Sequence, residues 1–270
     1  MLVSVITINF DNKIGLKKTI ESVLNQSFKN FEFIIIDGAS TDGSVDIINQ
    51  YKSHINHCVS EPDKGIYDAQ NKGILLAKGQ FCLFLNSGDT FSGENVLEQF
   101  ANEPFLENFN LFYGQSNLIN ENGKIEILSP PANISQQFWY RNTLNHQAVF
   151  FKKSLFDTLG LFDLNLKLAA DFEFLLRAYS YEKQSFKALN FIVCNYDNTG
   201  ISAQKKNYET VIKERNIALK KHFEKAELSK MKSAFLQSLT TKNRFLFIIS
   251  ENESLKTLFK PIFYLYNKLK

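Results

Sequence analysis

The residues of this chain that could do chemistry are small, polar and acidic, and they stand at the ends of apolar runs. Thr7, Asn9 and Asp11 close LVSVITIN. DGASTDGS, starting at Asp37, follows FEFIII. SEPDKG, with Asp63 and Lys64, follows HCV. NSGD, Asn86 to Asp89, follows FCLFL. Oxygen ligands on rigid backbone suit a divalent cation held with a diphosphate, because Mg²⁺-type ions keep waters and phosphate oxygens and need only one or two carboxylates. In NSGD, Asp89 offers the carboxylate, Asn86 a carbonyl or a water contact, and Gly88 room for close approach. Taken alone, an Asn/Gly/Asp turn from strand to helix, capped by Asp89, explains the segment as well. Four such ends on one rim favour a site, since turns do not need that concentration of acids.

The positioning elements follow from periodicity. In the first half, LVSVITIN, FEFIIID, HCVS and FCLFL read as strands. They alternate with helices over IGLKKTIESVLNQ (capped by Asp11 or Asn12), TDGSVDIINQY (capped by Thr41 or Asp42) and IYDAQNKGILLAKG, ending near Gly79. That alternation predicts right-handed crossovers and a parallel sheet, with ligands at the carboxyl ends of its strands. The second half is less regular. NLFYGQSNLI and KIEILS read as strands joined through Asn122 and Gly123, AVFF and SFKALNFIVCNY as further strands, and AADFEFLLRAYSYE as a helix. From about residue 204 the chain turns helical and more charged.

Composition removes several classes. A chain of 270 residues with 44% apolar and 22% charged residues is a soluble globular protein, one large domain or a domain plus extension. A net charge of +3 leaves no electrostatic footprint for nucleic acid. No run of about 18 apolar residues predicts a transmembrane helix. The apolar N-terminus lacks the basic start and cleavage site of a signal peptide and reads as a strand. Cys58, Cys82 and Cys194 read as reduced thiols of a cytosolic protein, and the four histidines make no zinc cluster with them.

VSVITINF, FEFIIIDGASTDGS, SEPDKGIYDAQNKGILLAKGQFCLFLNSGD and AADFEFLLRA occur in that order. Together they resemble a glycosyltransferase family 2 enzyme of GT-A fold over about residues 1 to 205. The resemblance implies an α/β, Rossmann-like nucleotide-diphospho-sugar transferase with a mostly parallel central sheet, leaving 206–270 as a C-terminal helical extension. It implies inverting transfer of a sugar from a nucleotide-diphosphate donor, a UDP-sugar, with Mn²⁺ or Mg²⁺. The acceptor would be a hydroxyl of a saccharide or lipid-linked saccharide of the bacterial surface. On its motifs, Thr7 and Asn9 line the nucleobase and ribose pocket. Asp37 is the first of two acids, the second being Gly38 here. Lys64 faces the diphosphate, with Asp63, Asp68 and Asn71 around it. Asn86 and Asp89 fall on the metal-binding acidic motif, where Asn86 and Gly88 replace acids and leave Asp89 as the metal ligand. Asp171 is the catalytic base that takes the proton of the acceptor hydroxyl. Without the other motifs, a plain first-turn acid would be the better explanation of Asp171. His146 and Gln147 match a segment on the acceptor side; a His146 satisfied by local backbone is an equal alternative. Likewise, NTGIS (198–202) is a closing loop or a turn, and Trp139 and Tyr140 stack on sugar or pack internally.

In the tail, Ser250 and Glu253 form a capping box, and Leu255, Leu258, Phe259, Ile262, Phe263, Tyr266 and Leu269 follow helical spacing between lysines. That pattern suits a helix in a membrane interface, or one docked on the catalytic domain or on a second copy in a homo-oligomer. The expected location is the cytoplasm, with peripheral contact to the inner membrane. Two other readings compete. A nucleotidyltransferase would need an early glycine-rich basic loop, which NFDNKIGLKK does not supply. A catalytically silent nucleotide-sugar-binding scaffold is kept open by Gly38 and Gly88.

Overall fold

The computed structural model describes residues 1–120, 123–197, 200, 204–241, 243, 244 and 247. Asn122, most of the loop 198–202, and the capping box and apolar stripe of 250–269 lie outside those residues.

The N-terminal half folds as its periodicity predicts. Strand β1 (Val3–Asn9) is followed by α1 (Lys13–Leu24), whose cap is Asn12: its side chain accepts from Gly15 N at 3.1 Å. Leu16, Ile20 and Val23 form the buried stripe of α1. Next come β2 (Phe31–Asp37) and α2 (Ser44–Gln50). α2 starts after Gly43, at φ +91°, and Asp42 accepts from Ser44 N at 2.9 Å. β3 (His57–Ser60), α3 (Ile66–Leu76) and β4 (Phe81–Phe84) complete the alternating part.

The second half contributes β5 (Thr90–Phe91), α4 (Val96–Ala101), β6 (Leu111–Ile119), β7 (Ile125–Leu128), β8 (Val149–Lys152), α5 (Lys153–Leu159), α6 (Ala170–Glu182) and β9 (Phe186–Asp197). The sheet order is β3-β2-β1-β4-β8-β6-β9-β5, with β7 paired to β6. The run β3-β2-β1-β4 is parallel, as expected. Beyond it β8 lies antiparallel between β4 and β6, and β9 is parallel to β6. Register aligns Asn9 with Asp37 and Asp37 with Ser60, so three polar side chains share one row at the strand ends.

Phenylalanines fill both sides of this sheet. Phe100 stacks on Phe150 at 3.8 Å, and Phe156 on Phe174 at 4.5 Å, with Phe84, Phe151 and Phe162 around the second pair. That second cluster seats α6.

Residues 1–134 and 142–222 form one compact unit; a smaller one takes in 135–141 and the described residues from 223. α7 (Tyr208–His222) belongs to the larger unit, past the expected boundary at residue 205. Its Glu214, 7% exposed, accepts from Lys167 N (2.9 Å), Leu168 N (2.8 Å) and Ala169 N (3.0 Å), in the loop that enters α6. Lys221 and His222 of α7 meet the buried Glu173 of α6 at 2.9 and 2.8 Å. In the smaller unit, α8 (Lys225–Ser238) begins with a Glu224/Glu227 capping box. Trp139 is fully buried there and Tyr140 packs on Phe235 at 5.7 Å. Of the two expectations for Trp139, packing is the one found, because a fully buried ring offers no face to a sugar.

Glu214→Ala leaves three backbone N–H groups without their acceptor. It should lower unfolding free energy by about 3 kcal/mol, read from the urea midpoint; a loss under about 1 kcal/mol would contradict the clamp.

Candidate active site

The rim at the carboxyl ends of the parallel strands is built first by register. Asp37 is fully buried and accepts from Asn9 Nδ2 (2.7 Å), Ser40 Oγ (2.6 Å), Ser60 Oγ (2.7 Å) and Ser40 N (3.0 Å). Burial would raise its pKa, but the bonds from Ser40, Ser60 and Asn9 outweigh that and hold it below the ordinary value. Thr7, also fully buried, donates Oγ1 to Leu85 O at 2.7 Å. Thr7, Asn9 and Asp37 are thus brought together as the floor of the rim.

The loop after β3 carries the next expected residues. Lys64 is exposed, and its backbone N–H donates to Asp68 Oδ2 at 3.0 Å. Asp68 also faces Lys72 Nζ at 3.7 Å in the first turns of α3. Asn71 is tied into the fold through its amide. Its Oδ1 accepts from Phe162 N and its Nδ2 donates to Phe162 O, both at 3.0 Å, so its amide ties α3 to the chain before α6.

NSGD is not a strand-to-helix turn, because Asp89 leads into β5. Gly88 holds φ +107°, a conformation that favours glycine, and its N–H donates to Thr19 Oγ1 at 3.0 Å. Asp89 is 4% exposed; Oδ2 accepts from Gln147 Nε2 and Oδ1 from Asp197 N, each at 3.1 Å. Burial pushes its pKa up to about 6 despite those two bonds.

Asp171 lies in the first turn of α6 with its side chain 16% exposed. Tyr67 Oη donates to Oδ1 at 2.7 Å, and His146 Nδ1 lies 3.1 Å from Oδ2. Burial would raise this pKa, but the His146 bond and charge, the Tyr67 hydroxyl and the Phe172 N–H keep it below the ordinary value. The same environment drives the Tyr67 phenol well above its usual range, first by burial and then by the Asp171 charge. His146 Nε2 reaches Asn86 Nδ2 at 3.4 Å, and Asn86 Oδ1 receives Gln70 Nε2 at 3.4 Å. In the tautomer that puts Nδ1–H on the carboxylate and leaves Nε2 bare, Nε2 accepts from the Asn86 amide. His146 is therefore held by side chains, not by local backbone.

His146 and its neighbour Gln147 connect the two aspartates: one holds Asp171, the other Asp89. Sequence reasoning missed Tyr67 and Gln70. The only trace was their spacing with Asn71, three and four residues apart on one face of α3.

Among the described residues, Asn9 Oδ1, Gln70 Oε1 and Ser87 Oγ are buried along this rim without a hydrogen-bond partner, which marks it as a place for a polar ligand. Among the described residues no group of three His, Cys, Asp or Glu could hold a metal ion. The donor set therefore fits a cation that brings diphosphate oxygens and waters to Asp89, not a ready protein cage.

Residues 4–160 match the model of Glycosyl transferase family 2. An uncharacterized glycosyltransferase of Mycobacterium tuberculosis is 34% identical over 210 residues, 75% of this chain and 78% of that protein. The Escherichia coli UDP-Glc:alpha-D-GlcNAc-diphosphoundecaprenol beta-1,3-glucosyltransferase WfaP is 36% identical over 117 residues, 43% of this chain and 45% of that one. The crystal structure of S. aureus TarS 1-349 in complex with UDP-GlcNAc superposes with a TM-score of 0.66 at 18% identity, covering 96% of this chain and 84% of that chain.

Asp89 makes stability depend on pH in a stated direction. Its folded pKa, about 6, lies above the ordinary 3.8, so the folded state binds the proton more tightly and loses stability as pH rises from about 4 to about 6. In chelator-treated protein, Asp89→Asn should match wild type near pH 4. Near pH 7.5 it should be more stable by up to roughly 3 kcal/mol. A wild-type-to-variant difference that stays flat across this window would contradict the burial account.

Proposed function

The chain belongs to glycosyl transferase family 2 and is a glycosyltransferase of GT-A fold; from that premise we propose an inverting transfer from a UDP-sugar to a hydroxyl of a saccharide or lipid-linked saccharide. The observation that carries this reading is the Asp171 carboxylate, held by Tyr67 and His146 and linked through Gln147 to Asp89. The acceptor oxygen attacks the anomeric carbon from the side opposite the diphosphate. As that C–O bond forms, the hydroxyl proton passes to Asp171. The bond from the anomeric carbon to the phosphate oxygen breaks, and its electron pair leaves with the nucleoside diphosphate. One displacement inverts the centre.

Tyr67 and His146 orient the carboxylate and keep it ionised, which a proton acceptor at neutral pH requires. Lys64, exposed beside the rim, supplies positive charge toward the diphosphate. Mn²⁺ or Mg²⁺, held by Asp89 with the donor's own diphosphate oxygens, would supply further neutralisation of the leaving group. The donor and acceptor classes are supported by the names of the E. coli relative, with UDP-Glc and a diphosphoundecaprenol-linked sugar, and of the TarS complex with UDP-GlcNAc. No helix among the described residues is long and apolar enough to cross a membrane. A lipid-linked acceptor would be met at a membrane surface.

Asp171→Asn should cut transfer by about 10²–10⁴-fold while the UDP-induced thermal shift with Mn²⁺ persists. Near-normal turnover in that variant would remove the assignment. Slow UDP-sugar hydrolysis that needs Mn²⁺ and Asp89 would set aside the catalytically silent reading.

A further inference from the structure

Beside its apolar stripe, α1 carries a second, polar one. Asn12, Thr19 and Gln26 recur every seven residues, with Ser22 between the last two, so they line one side of the helix from its cap to just past its last turn. Thr19 and Gln26 are buried. All four bond to the backbone of the stretch that leaves β4. Asn12 Nδ2 donates to Ser87 O at 3.0 Å. Thr19 Oγ1 accepts from Gly88 N at 3.0 Å and donates to Asp89 O at 2.7 Å. Ser22 Oγ accepts from Phe91 N at 2.7 Å. Gln26 donates Nε2 to Gly93 O at 2.7 Å and accepts from Leu97 N at 3.0 Å.

The backbone there needs these partners. β5 ends the sheet order, so one edge pairs with β9 and the other meets α1. Ser92 N bonds to Val193 O, whereas Phe91 N points the other way, to Ser22. Asn86 to Asp89 form a tight turn, with Asp89 N donating to Asn86 O at 2.9 Å and Gly88 at φ +107°. The turn's own bond does not use the Gly88 N–H, which needs an acceptor once buried. Thr19 is that acceptor. Its hydroxyl has one proton to give, and of the carbonyls of Gly15, Asn86 and Asp89 within reach, that of Asp89 is the nearest. One side chain thus brackets Gly88 and Asp89 from N–H to C=O, while Gln147 and Asp197 N fix the Asp89 carboxylate separately. Ions of the Mg²⁺ kind demand near-ideal ligand positions, so the place of this backbone decides how well the carboxylate meets a cation.

We propose that Thr19 is a positioning residue of the transferase, setting Asp89 for the cation and diphosphate. Being fully buried, it acts through Asp89 and not on a ligand. This rests on the transferase reading above. The experiment is calorimetric titration of the full chain with UDP, in Mn²⁺ and in chelator, beside urea unfolding. Wild type should bind UDP more tightly with Mn²⁺. Thr19→Val keeps the shape without the hydroxyl; it should lose most of that gain, weakening UDP binding in Mn²⁺ about tenfold and leaving binding in chelator unchanged. Thr19→Ser should restore the gain. Should valine prevent folding, Thr19→Cys, with a weak donor and acceptor, should lose the gain in the same direction. Ser22→Ala strips the acceptor from Phe91 N–H, two residues past Asp89; it should lower the urea midpoint yet keep the gain. A valine or cysteine variant with the wild-type gain, or a Ser22→Ala protein that loses it equally, overturns the assignment and leaves the transferase reading intact. Wild type that binds no UDP, or binds it without regard to Mn²⁺, overturns both.

Discussion

Two consecutive side chains tie the two aspartates of the rim to one another: His146 faces Asp171 and Gln147 faces Asp89. Their place is set by sheet register. β8 runs antiparallel to β4 with Leu83 opposite Phe150, so the chain just before β8 arrives beside the chain just after β4. A one-residue slip would carry every side chain of β8 to the other face and break both contacts. The aromatic core on both sides of β4 and β8 forbids that slip, since Phe84, Phe150 and Phe151 are fully buried. The reactive ends thus inherit their precision from the packing beneath them.

The buried carboxylates differ in what solvates them, and this gives each a distinct electrostatic character. Asp37 and Asp171 are pulled below the usual carboxylate range because hydroxyls, amides or an imidazole outweigh burial. Asp89 has two neutral N–H donors against nearly complete burial and ends near 6. A carboxylate in that condition gains from any cation that arrives, whereas Asp171 stays ionised without one. Glu173, surrounded by His222, Lys221 and Arg177, falls to about 2 even though burial alone would raise it, and so serves as a fixed anion under α6.

α6 carries Asp171 and is held from three directions. Phe174 and its aromatic neighbours seat it, Glu214 of α7 grips the loop entering it, and Asn71 of α3 pins Phe162 upstream. α3 serves the site twice more along one face, through Tyr67 to Asp171 and Gln70 to Asn86. A carboxylate fixed at both oxygens on an anchored helix loses little entropy when a ligand arrives, which is the use of such rigidity.

Local patterns in the chain were enough for the parallel half and for the rim. Strand and helix periods are carried by neighbouring residues, so the alternation up to residue 84, the polar strand ends and Asp171 at a helix start could all be read there. The insertion of β8 between β4 and β6, the role of α7 and the partners of the acids could not. Tyr67 meets Asp171 across 104 residues, Asp89 meets Gln147 across 58 and the Asp197 N–H across 108. Contacts that distant leave no mark on composition or spacing. Asn71, placed by motif beside the diphosphate, shows the same limit: its helix was legible, but the direction of its amide was settled by the chain that packed against it.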